Sequence, residues 1–287
     1  MKDKLSIMPY LLMVLLFLSN GVIAKSVASP KQMYAPYARL LTSYVSNDGL
    51  VDYAGMQAAQ SKDCKVTLLN SAIWKIQSLD KKNYNGFDNN DKIAFWINAY
   101  NLFTLKAIVD HYPINAKGTS ALIYPKNSIR QIPGVWDKLT FTVLGVAQTL
   151  NDIEHEILRK QFTKPQIHMA LVCGAMSCPR LRNEPYIGNQ LDNQLDNQTI
   201  RFMNDDTKFV LDKKNKVIAI SKIFHWFGKD FVTSSGKQAL LNGQNEMNTA
   251  VLRYIASYLS NNDRDFVLHQ KLKVKYLKYN WQLNQQR

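Results

Sequence analysis

Cysteine is scarce in this sequence. Cys64, Cys173 and Cys178 are the only three among 287 residues, an odd number and too few to form a disulfide framework for a chain of this length. One bridge, Cys173 to Cys178, stays open in an oxidising compartment, with Cys64 left buried and free. The spacings of a metal site are missing too, since there is no HExxH and no paired CxxC. His155, His168, Cys173 and Cys178 would surround zinc only if the fold gathered them, so no metal and no cofactor is expected. Glycine and proline, at 12 and 9 residues, nowhere concentrate with serine into a linker, which leaves no signal for a division into domains. Acidic residues number 22 against 36 lysines and arginines, for a formal charge of +14. That excess is either a solvated basic face or a means of meeting anionic surfaces, such as lipid headgroups or acidic cell-wall polymers.

Long apolar runs are absent except near the start. There Lys2 and Lys4 precede an apolar stretch from Leu11 to Leu18, Ser19-Asn20-Gly21 interrupts it, and Val22-Ile23-Ala24 closes it with small residues at the positions a signal peptidase reads. The stretch is shorter than the ~20 residues of a spanning helix, so residues 1–24 read as a signal peptide cleaved near Ala24. Cleavage would remove two lysines and one aspartate and leave +13. A periplasmic or secreted location follows, with no transmembrane span afterwards. Nucleic acid is then an unsuitable partner, and the lysines are scattered apart from Lys271, Lys273, Lys275 and Lys278. The remaining chain, 25–287, reads as a single domain with a core from about 35 to 284.

Hydrophobic periodicity places helices near Tyr34 and from Cys64 to Leu79. The stretch from Asn90 to Tyr112 is apolar on every side, as expected of a helix enclosed by the rest of the domain, and Pro113 marks its end. Residues 140–143 and 146–150 flank Leu144-Gly145 as a hairpin. A helix is expected from Asn151 to Phe162, a buried strand from Ile167 to Cys173, and a helix from Gly188 to Met203. A second hairpin joins 208–211 to 217–221, and helices follow at 226–231 and 248–259. The fold class is α+β: a helix-rich single domain with a small antiparallel sheet around a buried central helix.

Three constellations could carry chemistry. In TLNDIEHEILR, either Asn151 with Glu154 or Thr149 with Asp152 fits a capping box. At helical spacing Glu154 falls in the inward stripe beside His155. A carboxylate aimed at a core must be paired or protonated, so Glu154 lines a cavity with His155, or satisfies the helix start, or holds Arg130 or Arg182. In HMALVCGAMSCPRLR, Cys173 ends the expected strand just before a loop, and a thiol there needs a base such as His155 or His168 to act as a nucleophile. Otherwise Cys173 and Cys178 are small buried hydrophobes. In FWINAYN, Asn98 and Asn101 are buried amides that either complete a pocket or clamp loop backbone.

With VDYAGM, IPGVWD, FHWFGKDF and YLKYNWQLN, these motifs make the chain resemble the DUF547 family, a domain of unknown function. The resemblance implies one domain and hands over no activity. It further suggests a fold related to papain-like cysteine peptidases, although the central helix has no cysteine at its start. The leading functional expectation is a thiol-dependent hydrolase, peptidase- or amidase-like. Cys173 would attack, His155 would be the base and Glu154 would orient it. His168, Asn98, Asn101, Cys178 and Arg182 would complete the substrate pocket. The alternative is a non-catalytic envelope module that binds a peptide, glycan or protein partner. A docking role for Tyr276, Tyr279 and Trp281 is a third possibility.

Overall fold

A computed structural model describes residues 30–62, 67–115 and 118–286. Residues 1–24, read above as a signal peptide, and Cys64 lie outside them. Asn89–Asp110 forms the central helix, and 16 of its 22 residues are buried. Asp88 caps it by accepting the Asp91 N–H at 2.7 Å, satisfying one of the donors a helix start leaves open. A papain-like arrangement would put a nucleophile at this helix start. Here Asp91 instead packs against Gly188, where an added Cβ would fall 2.0 Å from its carboxylate.

Helices Tyr53–Lys62, Leu68–Gln77 and Leu191–Met203 pack around the central helix, together with the turns that follow Thr149. Its lack of a polar face is thereby explained: each side meets a different neighbour. Two amides interrupt the apolar surface and hold loops against it. Asn98 donates to the Tyr186 carbonyl at 2.8 Å and accepts the Tyr186 N–H at 2.9 Å. Asn101 treats the carbonyl of Ala170 and the N–H of Val172 in the same way, at 3.0 and 2.9 Å.

Two small sheets flank the helices. β1 (Phe141–Val143) and β2 (Val146–Gln148) are antiparallel. Their turn puts Leu144 and Gly145 at φ 54° and 76°, the left-handed pair that a two-residue hairpin requires. β3 (Phe209–Asp212) pairs antiparallel with β4 (Val217–Ile220), and β5 (Lys273–Tyr276) runs parallel to β4. The larger sheet is therefore mixed, not purely antiparallel. Lys273 and Lys275 are exposed on its edge strand, where charge discourages pairing with another chain. Part of the basic cluster is thus a solvated sheet edge. No helix among the described residues is long and apolar enough to cross a membrane.

One expected element is replaced. Residues 165–169 form a 3-10 turn and 170–173 are irregular, where a strand was expected. The reason lies in the hydrogen bonds: the backbone of this segment is satisfied by local turns, by the Asn101 and Gln198 side chains and by Cys178 Sγ, and pairs with no strand among the described residues. After β5 the chain returns across the same loop. Leu283 bridges Ala175, Gln285 bridges Val51, and Asn284 accepts from the Tyr53 hydroxyl at 2.8 Å.

Candidate functional site

The site begins at Thr149. Its N–H and hydroxyl donate to Asp152 Oδ2 at 2.8 and 2.7 Å, and the Asp152 N–H returns to the Thr149 hydroxyl at 3.1 Å. Of the two possible capping boxes, this is the one that forms, and Asn151 caps nothing with its side chain. Glu154 is consequently free of the helix start. Residues 152–158 wind as a π-helix, a wide turn common at functional sites. The Glu154 carbonyl accepts the Arg159 N–H five residues on.

Glu154 is 8% exposed. Burial pushes its carboxyl up to about 7, with Asp230 adding to the rise and the Tyr100 hydroxyl and Arg159 charge opposing it. The acid is thus about half protonated near neutral pH. Neither arginine foreseen as its partner is paired with it. Arg182 is occupied by Glu184, Asn197 and Gln198.

Next to Glu154 lies a charge network that sequence reasoning missed, because its hub, Asp230, sits in a helix far along the chain. Arg159 grips Asp230 with two hydrogen bonds, Nε to Oδ2 at 2.6 Å and a terminal nitrogen to Oδ1 at 2.9 Å. His168 donates Nε2–H to Asp230 Oδ2 at 2.8 Å and stacks on Phe227 with ring centroids 4.0 Å apart. These contacts hold the Asp230 carboxyl well below the ordinary carboxylate range, against the effect of its partial burial. Burial lowers the His168 imidazole below its usual value and outweighs the neighbouring Asp230. Another Arg159 nitrogen donates to His155 Nδ1 at 2.9 Å, which leaves the His155 proton on Nε2. Desolvation, then the Arg159 charge, also lowers His155. His155 therefore offers the cavity a donor, not the free basic nitrogen that a thiol would need.

Cys173 and Cys178 are joined by a disulfide. The expected nucleophile has no thiol in this form, so a thiol mechanism requires the bond to be reduced first. Cys178 Sγ also accepts the Cys173 N–H at 3.1 Å, and the Tyr279 hydroxyl lies 3.2 Å from it and 3.6 Å from Cys173 Sγ.

One cavity of about 350 Å³ opens beside these groups, with Arg159 and Asp230 behind its wall and not part of its lining. Glu154, His155, His168, Cys173 and Cys178 line it, as expected from sequence; Asn98, Asn101 and Arg182 do not. The two asparagines spend their amides on backbone. Rings from distant segments form much of the remaining wall: Trp136, Trp226, Phe227, Tyr279 and Trp281. Tyr279 and Trp281, considered above as outward docking residues, turn inward against each other, with centroids 4.6 Å apart.

Arg130, expected from the sequence as a partner for Glu154, is held by aromatic rings instead. Its guanidinium is stacked 4.6 Å from the Trp281 ring, 4.7 Å from Tyr124 and 5.2 Å from Trp136. No carboxylate among the described residues forms a salt bridge with it, and its Nε is buried without a hydrogen-bond partner. Arg130 and Trp136 also border a second cavity, of about 590 Å³, whose lining includes none of the expected catalytic residues and one carboxylate, Asp137. Among the described residues no group of three or more His, Cys, Asp or Glu is placed to hold a metal ion.

Fold and site together define a helix-rich α+β protein built around an aromatic cavity that holds a disulfide, a buried acid and an unpaired arginine. Residues 84–203 of the chain match the model of DUF547, described as a protein of unknown function. The matched segment contains FWINAYN, IPGVWD, TLNDIEHEILR and HMALVCGAMSCPRLR, whereas Phe227, Asp230, Tyr279 and Trp281 lie outside it. No curated protein matches the chain, and no solved structure matches it.

Proposed function

We propose that the cavity binds a small carboxylate on a flat or apolar body, such as the C-terminus of a peptide, and that the chain acts as a binding module of the cell envelope. The observation that carries this reading is Arg130. A guanidinium held among three rings, with a buried N–H unsatisfied and no acidic partner, is preorganised for an anion. The surrounding rings suit an apolar body, and a volume of about 350 Å³ falls in the range of small-ligand sites. The net charge of +14 draws anions toward the molecule.

Tryptophan fluorescence tests the reading, since Trp136, Trp226 and Trp281 line the cavity. Titration with N-acetylphenylalanine should change the emission and saturate. Its methyl amide, which lacks the carboxylate, should bind at least about ten-fold more weakly, the share expected of one charge-assisted hydrogen-bonded contact. Equal affinity for the two would overturn the assignment. The envelope location is tested by sequencing the N-terminus of the protein expressed with its leader, which should begin at Lys25; a start at Met1 would remove it.

The thiol-hydrolase reading has one observation in its favour: Cys173, His155 and Glu154 do share a cavity. It applies to the reduced protein alone. Turnover of 4-nitrophenyl acetate that appears with dithiothreitol and vanishes in Cys173→Ala would support it.

A further inference from the structure

The Cys173–Cys178 bridge closes a short loop, CGAMSC, that is already held in place without it. The Cys178 N–H donates to the Ala175 carbonyl at 3.0 Å, and the Met176 and Ser177 N–H groups donate to Gln282 and Asn280 carbonyls at 2.8 and 3.2 Å. In return the Asn280 N–H donates to the Ser177 hydroxyl at 2.8 Å, and the Asn284 N–H donates to the Gly174 carbonyl at 3.0 Å. Five hydrogen bonds thus hold the loop, four of them to the C-terminal segment. A bridge across so few residues also constrains the unfolded chain less than one across a long loop. Structural need does not account for its position on a cavity wall.

The two sulfurs are not equivalent. Cys173 is half-buried and Cys178 is fully buried, so a reagent in the cavity reaches Cys173 first. Cys178 Sγ has two donors aimed at it, the Cys173 N–H at 3.1 Å and the Tyr279 hydroxyl at 3.2 Å. Donors of this kind stabilise a thiolate and make that sulfur the better leaving group.

We propose that Cys173–Cys178 is a redox-active disulfide that exchanges with thiols entering the cavity, with Cys173 as the sulfur attacked and Cys178 as the leaving group. A thiolate attacks Cys173 Sγ. The new S–S bond forms as the Cys173–Cys178 bond breaks, and the electron pair leaves on Cys178 Sγ between its two donors. A second thiolate then attacks the incoming sulfur of this mixed disulfide and releases Cys173 as a thiolate. Two thiols are oxidised to one disulfide, the bridge is reduced to two thiols, and the protons of the entering thiols pass to the protein thiolates or to water. Reoxidation runs the same steps backwards with an external disulfide, of which glutathione disulfide is the simplest. Arg130 has no part in these steps, so the exchange does not depend on the carboxylate reading.

Glutathione is the probe. Full chain carrying Cys64→Ser is equilibrated in buffers of graded reduced-to-oxidised glutathione ratio, alkylated, and read by intact mass, with melting followed in parallel. The bridge should open and close reversibly while the protein stays folded. Cys178→Ser should take up glutathione on Cys173 at least about ten-fold faster than Cys173→Ser takes it up on Cys178, reflecting the greater access to the half-buried sulfur. A bridge that resists excess glutathione until the protein is denatured, or whose reduction unfolds it, would overturn the proposal, as would equal uptake by the two variants. Should either variant fail to fold, the wild-type titration and its melting curve decide alone.

Discussion

His168 and Asp230 meet through a 2.8 Å hydrogen bond, and Arg159 binds both oxygens of the same carboxylate. Asp230 thereby ties the segment before the disulfide loop to the π-helical turn and to a helix outside the family match. Asp230→Asn should leave Arg159 without its counter-charge and weaken its hold on His168. A half-buried pair of this kind is worth about 2 kcal/mol once solvent screening is allowed for. Thermal unfolding at pH 7 should show a loss of roughly 4–8 °C.

The same network sets an acid limit. The Asp230 carboxyl and the His168 imidazole both lie below their usual values in the folded protein. The unfolded chain therefore takes up protons that the folded one refuses, first on the histidine and then on the aspartate. Their contribution is complete above about pH 6.5 and is lost as pH falls toward and below about 4. Melting temperature against pH should decline over that interval; in Asp230→Asn the part near and below about pH 4 should shrink, whereas the histidine part should persist, because Asp230 opposes the lowering of His168.

Glu154 works in the opposite sense. Its folded value of about 7 exceeds that of an exposed glutamate, so the folded state holds a proton the unfolded chain has released. That favours folding at low pH and is lost as pH rises through about 7. Glu154→Gln, which cannot ionise, should melt higher than the wild type at pH 8, by about 5 °C for a difference of roughly 2 kcal/mol. A variant that melts lower at pH 8 would show that the ionised acid is well paired.

Ligand binding should respond to the same proton. An anion in the cavity meets a neutral Glu154 at pH 6 and a charged one at pH 8. Affinity for N-acetylphenylalanine should therefore fall by roughly ten-fold between these values, in keeping with Coulomb repulsion at an effective protein dielectric. In Glu154→Gln that dependence should disappear.

Asn101 offers a test of the scaffold alone. Asn101→Ala would leave the Ala170 carbonyl and the Val172 N–H buried without partners, at a cost of about 2–4 kcal/mol. Hydrogen exchange at the Val172 amide should accelerate more than at amides within the central helix.

How much of this was legible in the sequence depended on distance along the chain. The central helix and the first hairpin follow from local pattern: apolar residues on every side from Ile93 to Val109, and Leu144-Gly145 between two strand-forming runs. The inward face of Glu154 was also readable, because helical spacing places it beside Ile153 and Ile157. The strand expected at 167–173 failed because its backbone bonds go to local turns and to side chains from distant helices, Asn101 and Gln198. Arg130 and Asp230 could not be ranked. An arginine without a carboxylate and an aspartate with two partners look alike until distant segments are brought together. The aromatic motif YLKYNWQLN was visible, but nothing local told Tyr279 and Trp281 to turn inward.

Calorimetric titration of N-acetylphenylalanine into the wild type and into Arg130→Gln bears most directly on the anion-binding cavity. Replacement of the guanidinium by a neutral amide should weaken binding about ten- to a hundred-fold, the range for one charge-assisted contact, while the methyl amide binds both proteins alike. Undiminished affinity in a folded Arg130→Gln would contradict the account.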